Sequence, residues 1–158
     1  GFGSTSLTID LSTGNLDDGS GTYLNRISSI ETVIGSSGND DIRGDTYANR
    51  LVGGDGGDTL VGGNGEDTFI GGAGSDSIVG GIHNDTLDFS ANTVNQAVVV
   101  NLISGNVDSD GLGGADKVSS IETVIGSEGG DSIRGDNQAN LLVGGNGDDT
   151  LWGGLGSD

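Results

Sequence analysis

Single apolar residues recur every nine positions along most of this chain. Ile42, Leu51, Leu60, Phe69, Ile78 and Leu87 form one run, and Ile133, Leu142 and Leu151 form a second. Each is the middle residue of a three-residue stretch, the pattern of a minimal strand with one buried position. The intervening residues are rich in Gly and Asp. From Gly35 the units read GSSGNDDIR, GDTYANRLV, GGDGGDTLV, GGNGEDTFI, GGAGSDSIV and GGIHNDTLD. From Gly126 they read GSEGGDSIR, GDNQANLLV, GGNGDDTLW and a cut-off GGLGSD. Gly at the first, second and fourth places permits tight turns with close backbone approach. Turn, strand, turn, strand makes a coil of two nonapeptides, and stacked coils make an all-β parallel β-roll.

A longer period is superimposed. Residues 27–54 align without gaps to 118–145, with 21 of 28 identical and a shift of 91. The chain is two tandem copies of one unit. The second stops at Asp158, inside a nonapeptide, and reads as a piece of a longer array. The expected organisation is a β-rich cap or connector at 1–34, a first block at 35–88, a β-rich connector at 89–125 and a truncated second block at 126–158. Within the non-repeat segments, Leu7–Leu11 and Val98–Leu102 alternate like strands that continue or cap the roll. The stretches 14–26 and 105–117 read as loops.

Composition sharpens this picture. The chain has 34 Gly, no Pro, Cys or Met, and only 31% hydrophobic residues. Apolar burial is thin and Gly is costly to order, so another source must supply much of the folding free energy. There are 24 Asp and Glu against 5 Lys and Arg, a net charge of −19. Left bare, that charge favours an expanded chain. Composition alone fits an acidic disordered linker equally well; the fixed register of ten units argues for a fold. Nucleic acid is excluded as a partner, because phosphate contacts need a basic surface. Absence of Cys excludes a disulfide scaffold and Cys-ligated zinc. No apolar run approaches the roughly 20 residues of a membrane-spanning helix. Gly1-Phe2-Gly3 shows no secretory leader.

The sixth place of the nonapeptide carries the chemistry. It is Asp40, Asp58, Asp67, Asp76, Asp85, Asp131, Asp149 and Asp158 in eight units, and Asn49 and Asn140 in two. Stacking every second unit places Asp40, Asp58 and Asp76 in one column and Asn49, Asp67 and Asp85 in another. Carboxylates about 4.8 Å apart repel by roughly 3 kcal/mol per pair at an effective dielectric of about 20. The columns need a cation between their members. Carboxylates and carbonyls in flexible turns suit Ca²⁺ better than Mg²⁺.

These ten units, with the linking SSIETVIGS and NDTLDFS motifs, resemble the RTX (repeats-in-toxin, hemolysin-type calcium-binding) family. The linking motifs resemble the RTX region of serralysin-type proteases. The resemblance implies a right-handed β-helix of nonapeptides in two blocks. It also implies a ligand set: second, fourth and sixth places of one turn with first, third and sixth places of the turn two units on, the first four places acting through carbonyls. Carried over, this pairs Ser36, Gly38 and Asp40 with Gly53, Asp55 and Asp58, and Asp45, Tyr47 and Asn49 with Gly62, Asn64 and Asp67. Gly54, Gly56 and Asp58 pair with Gly71, Ala73 and Asp76, and Gly63, Gly65 and Asp67 with Gly80, Ile82 and Asp85. The second copy pairs Ser127, Gly129 and Asp131 with Gly144, Asn146 and Asp149, and Asp136, Gln138 and Asn140 with Gly153, Leu155 and Asp158. The linking motif implies one more site, Glu122 and the Ser120 carbonyl with Asp85 and the His83 carbonyl, giving about seven ions. Glu31 and Glu122 also fit plain surface charges. Glu31 is the equivalent of Glu122, and its partner turn would precede residue 1.

The resemblance further implies a module of a larger secreted bacterial protein, exported unfolded by type I secretion and folding on Ca²⁺ outside. Its partners would be calcium ions and neighbouring domains of the parent. A Ca²⁺-stiffened adhesin spacer and a polysaccharide-binding module of an epimerase-like exoenzyme remain open alternatives. The chain holds no nucleophile–base pair, phosphate-cradling loop or zinc constellation, so no catalytic residue is expected. His83 has no catalytic partner in register. Trp152 reads as a packing residue, and Arg43 and Arg134 as offsets to local carboxylates.

Overall fold

The computed structural model describes residues 5–20, 23–93 and 95–158. The first copy holds β1 (Thr8–Asp10), β2 (Asn15–Asp17), β3 (Tyr23–Arg26), β4 (Thr32–Ile34), β5 (Asp41–Arg43), β6 (Arg50–Asp55), β7 (Thr59–Asn64), β8 (Thr68–Ala73), β9 (Ser77–Ile82) and β10 (Thr86–Asp88). The second holds β11 (Val99–Asn101), β12 (Asn106–Ser109), β13 (Asp116–Ser119), β14 (Thr123–Ile125), β15 (Ser132–Arg134), β16 (Leu141–Val143) and β17 (Thr150–Trp152).

The strands form two sheets. The narrow one has six, in the order β16-β14-β10-β8-β6-β4, and the wide one eleven, β17-β15-β11-β12-β13-β9-β7-β5-β1-β2-β3. Consecutive nonapeptide strands alternate between them, which is the β-roll. Leu51 pairs in parallel with Phe69, and Leu60 with Ile78, each partner two nonapeptides on. The eighth places fill the interior. Ile42, Leu51, Leu60, Phe69 and Ile133 are fully buried, and Ile78 and Leu87 nearly so. At the far end Leu142 is half-buried and Leu151 is exposed.

The segments between repeats correct the loop reading. Within 14–26 lie β2 and β3, and within 105–117 lie β12 and the start of β13. In each copy three strands make an antiparallel meander inside the wide sheet: β1-β2-β3 and β11-β12-β13. These strands carry isolated apolar residues such as Leu16 and Val107, so no alternation shows in the sequence. Pairing on both sides supplies what pattern does not: β12 lies between β11 and β13, and Val107 is fully buried. The meander also joins the copies. β13 pairs in parallel with β9, and β14 with β10, so strands of both blocks share both sheets.

Candidate metal centre

The sixth residue of each turn before the last leads into a strand, and most of these turns fold its side chain inward; at the far end Asp149 is half-buried and Asp158 exposed. Asp40, Asp58, Asp67, Asp76, Asp85 and Asp131 are buried, with Asn49 and Asn140. One oxygen of each stacked Asp accepts the N–H of the sixth residue a coil earlier. Asp58 Oδ1 accepts from Asp40, and Asp76 Oδ1 from Asp58, both at 2.8 Å. On the opposite edge Asp67 Oδ1 accepts from Asn49 at 2.7 Å and Asp85 Oδ1 from Asp67 at 2.8 Å. In the second block Asp149 accepts from Asp131 at 2.9 Å and Asp158 from Asn140 at 3.0 Å.

The other oxygen is left over. Oδ2 of Asp58, Asp67, Asp76 and Asp85 is buried without a hydrogen-bond partner. A buried, unpaired carboxylate oxygen is costly, so four in register call for a ligand. A carbonyl of the next coil lies beside three of them, those of Asp58, Asp67 and Asp85. A Cβ on Gly53 would run into Asp58 Oδ2 and the Gly71 carbonyl, and one on Gly62 into Asp67 Oδ2 and the Gly80 carbonyl. Gly144 and Gly153 present their carbonyls in the same way to Gly126 and Gly135. From the other side of each gap, the second-place carbonyls of Ser36, Asp45, Gly54, Gly63, Ser127 and Asp136 lie against the second-place Gly one coil on. The fourth-place carbonyls of Gly38, Tyr47, Gly56, Gly129 and Gln138 lie against the fourth-place Gly one coil on. Gly72, at φ +105, has no room for a side chain above the Gly54 carbonyl.

The third places are less uniform. The Ala73 carbonyl faces back and accepts Gly56 N–H at 2.7 Å. Asp55 and Asn64 donate their own N–H groups to the Ser36 and Asp45 carbonyls at 3.3 and 3.1 Å, and Leu155 to Asp136 at 3.3 Å. The side chains of Tyr47, Ile82, Asn146 and Leu155 are exposed, which leaves main-chain atoms to face the gaps. Among the described residues no three His, Cys, Asp or Glu side chains gather around one point. An ion in a gap would therefore draw mainly on carbonyls, with at most two carboxylates, a donor set for a hard, flexibly coordinated cation.

The linking motif closes the column on the narrow-sheet edge. Glu122 Oε2 accepts Asp85 N–H at 2.9 Å, taking the part of the next Asp. The Ser120 carbonyl, with Ser120 at φ +53, meets Asp85 Oδ2 over Gly80. The His83 ring is turned to the neighbouring coil, where Nδ1 accepts Gly65 N–H at 3.3 Å. Glu31 is exposed, and its carbonyl accepts Arg50 N–H at 2.7 Å.

Two predicted ligands stand apart. Asp40 Oδ2 accepts Ser36 N–H at 2.5 Å, and its Oδ1 accepts from Leu7 N–H and Ser36 Oγ at 2.6 and 3.0 Å. Asp131 is held by Ser127 and Val98 in the same way. Where the second place is Ser, the Asp is satisfied locally; where it is Gly, Oδ2 is free. Asp58 also faces a gap on either side, whereas Asp40 has Leu7 on one side. Asp58→Ala is thus expected to raise the Ca²⁺ midpoint by about tenfold or more, and Asp40→Ala by less. Calorimetric titrations giving equal losses, or a greater loss for Asp40→Ala, would refute this register.

Burial pushes the Asp58 and Asp85 carboxyls up to about 6, against hydrogen bonds from Asp40 and Asp67 that pull them down. Neighbouring carboxylates add to the rise. Asp67 and Asp76 are raised for the same first reason. All four bind protons more tightly folded than unfolded, and the contribution of Asp58 and Asp85 to the ion-free fold is complete below about pH 4 and is lost as pH rises through about 6. Ca²⁺ needs the ionised form and competes with that proton. The ion-free chain should therefore show more β signal at about pH 4.5 than at about pH 7.5, while Ca²⁺ affinity falls over the same descent. Circular dichroism and calcium titration across this range check both signs.

A family model for the RTX calcium-binding nonapeptide repeat matches residues 34–69, 61–92 and 125–158, more than half of the chain. The chain belongs to this family. Its RTX repeats are calcium-binding, and the stacked turns just described are those repeats. No curated protein matches the chain. Sequence reading missed two buried acids outside the matched stretches, Asp110 and Asp116.

Proposed function

We propose that this chain is a calcium-binding RTX module of a larger secreted bacterial protein, exported unfolded by type I secretion and folded by Ca²⁺ outside the cell. The observation that carries this reading is the row of four buried, unpartnered Oδ2 atoms, one per stacked turn. The residues holding the ions would be the second- and fourth-place carbonyls of one turn, the first- and third-place carbonyls of the next, and the Asp between them. Bound Ca²⁺ supplies positive charge in the gaps. The chain's own residues do the rest: Gly brings the carbonyls close, Asp Oδ1 fixes the coil spacing, and the eighth-place residues seal the interior.

Export and folding follow from one balance. At −19 with a thin core, the ion-free chain favours expansion, which suits passage through a channel. About seven Ca²⁺ would add about +14 and let the columns close. The module is read as a binding and structural element of its parent rather than an enzyme. No helix among the described residues is long and apolar enough to cross a membrane.

Native mass spectrometry tests the reading. It should find about seven Ca²⁺ per chain, and Mg²⁺ should not replace them, because Mg²⁺ dehydrates reluctantly and demands stricter octahedral geometry. Two or fewer ions, or equal loading by Mg²⁺, would overturn it.

A further inference from the structure

The wide-sheet column does not end at Asp76. The segment above it, Gly111-Leu112-Gly113-Gly114-Ala115-Asp116-Lys117-Val118, lies outside the matched repeats, yet it stacks on the turn at 71–79 as a repeat would. Four contacts reproduce those between true repeats. Asp116 Oδ1 accepts Asp76 N–H at 3.0 Å, as Asp76 Oδ1 does from Asp58. The Gly113 carbonyl accepts Gly74 N–H at 3.1 Å, as the Ala73 carbonyl does from Gly56. Lys117 N–H donates to the Asp76 carbonyl at 2.8 Å, as Ser77 N–H does to Asp58. The Gly74 carbonyl lies against Gly114, fourth place on fourth place. Asp116 follows Asp76 by more than four nonapeptide lengths instead of two, because the chain first lays down β11 and β12.

One feature of this gap has no counterpart in the others. At Gly53 and Gly62 a carbonyl of the next coil closes over the Asp Oδ2; at Gly71 the nearest atoms belong to Asp76 alone. A third acid stands near instead. Asp110 is 2% exposed, and its Oδ1 accepts N–H from Leu112 and Gly113 at 2.8 and 2.9 Å. Its Oδ2 is buried without a partner, like Asp76 Oδ2. The bonds of Gly113 to Gly74 and of Asp116 to Asp76 bring the loop that carries Asp110 onto this gap; burial raises the Asp76 and Asp116 carboxyls, and the Asp110 charge adds to the rise. Among the described residues no Lys or Arg offsets them: the one ion pair is Arg43 with Asp41, and Lys117 Nζ bonds Asn106 instead. The meander does not need these acids. The first copy forms the same three strands with Gly19 and Asn25 in their places.

We propose that a Ca²⁺ ion is held between Asp76 and Asp110, in the gap between the turn at 71–76 and the loop at 110–116. This rests on the calcium-binding reading of the repeats and adds a site that the nonapeptide register does not contain. Asp76 Oδ2 and Asp110 Oδ2 supply the charge, the Gly74 carbonyl faces the loop from the coil below, and Asp116 ties the loop to that coil. An ion here would clamp the junction between the copies, where β9 meets β13.

Two measurements on the whole chain decide it. Asp110→Asn keeps an oxygen for Leu112 and Gly113 and removes the charge. By native mass spectrometry it should carry one Ca²⁺ fewer than the parent chain, while Asp108→Asn, an exposed neighbour, should keep the full count. An unchanged count in Asp110→Asn overturns the proposal. Anomalous scattering from crystals of the calcium-loaded parent chain needs no variant to fold, and should show a peak between the Asp76 and Asp110 carboxylates. Peaks in the repeat gaps with none here overturn this site alone. No peak anywhere overturns both this site and the reading on which it rests.

Discussion

Phe69→Ala is expected to destabilise the calcium-loaded roll by about 3–5 kcal/mol. Phe69 is fully buried and is the largest of the fully buried side chains. It lies in the narrow sheet between Leu51 on β6 and Leu87 on β10. The interior holds about one such residue per nonapeptide, so no neighbour can move in to fill the space, and the cavity term falls near its full value. Fold and ions are coupled, so the loss should appear twice: as a lower denaturant midpoint at saturating Ca²⁺ and as a higher Ca²⁺ concentration needed to fold. Ile82→Ala provides the contrast. Ile82 is 62% exposed, and its removal should cost within about 0.5 kcal/mol. Equal losses for the two variants would mean that the eighth places do not form the core.

The regular part of this molecule was legible because it is periodic. A single apolar residue every nine positions fixed which side chain is buried. Stacking of every second unit then followed, as the pairs Leu51 with Phe69 and Leu60 with Ile78 bear out. The facing of second- and fourth-place carbonyls across each gap comes with that stacking. What periodicity could not show lies where it stops. Asn106–Ser109 has one apolar residue, Val107, and becomes a strand only through partners on both sides. The turn at 111–116 is out of phase with both runs of nonapeptides, and its partner turn lies back across the whole meander. Spacing therefore held no sign that Asp116 continues the column. Asp40 and Asp131 also differ from the other sixth places for a local reason. A Ser at the second place turns its N–H and hydroxyl onto the carboxylate, a distinction that the one-letter pattern G-S-x-G-x-D contains but does not explain.

Removing calcium should have the largest effect of all, the loss of the fold. The same atoms argue it from both sides. Four buried Oδ2 atoms in the columns have no partner among the described residues, and Asp58 and Asp85 hold their protons up to about 6 because burial disfavours their charge. At neutral pH without a cation those carboxylates must be buried bare, be protonated at a cost, or leave the fold. A chain of −19 with 34 Gly has little apolar burial to oppose the last outcome. Monovalent salt screens over a Debye length of about 8 Å at physiological strength but does not bridge two oxygens. The most direct measurement is far-ultraviolet circular dichroism of the chain at neutral pH, first in EGTA and then through a titration into millimolar Ca²⁺. The expected result is a disordered spectrum in EGTA that converts cooperatively to β signal with Ca²⁺, and does not convert with Mg²⁺ or NaCl at equal ionic strength. The same β spectrum in EGTA as in Ca²⁺ would contradict the account.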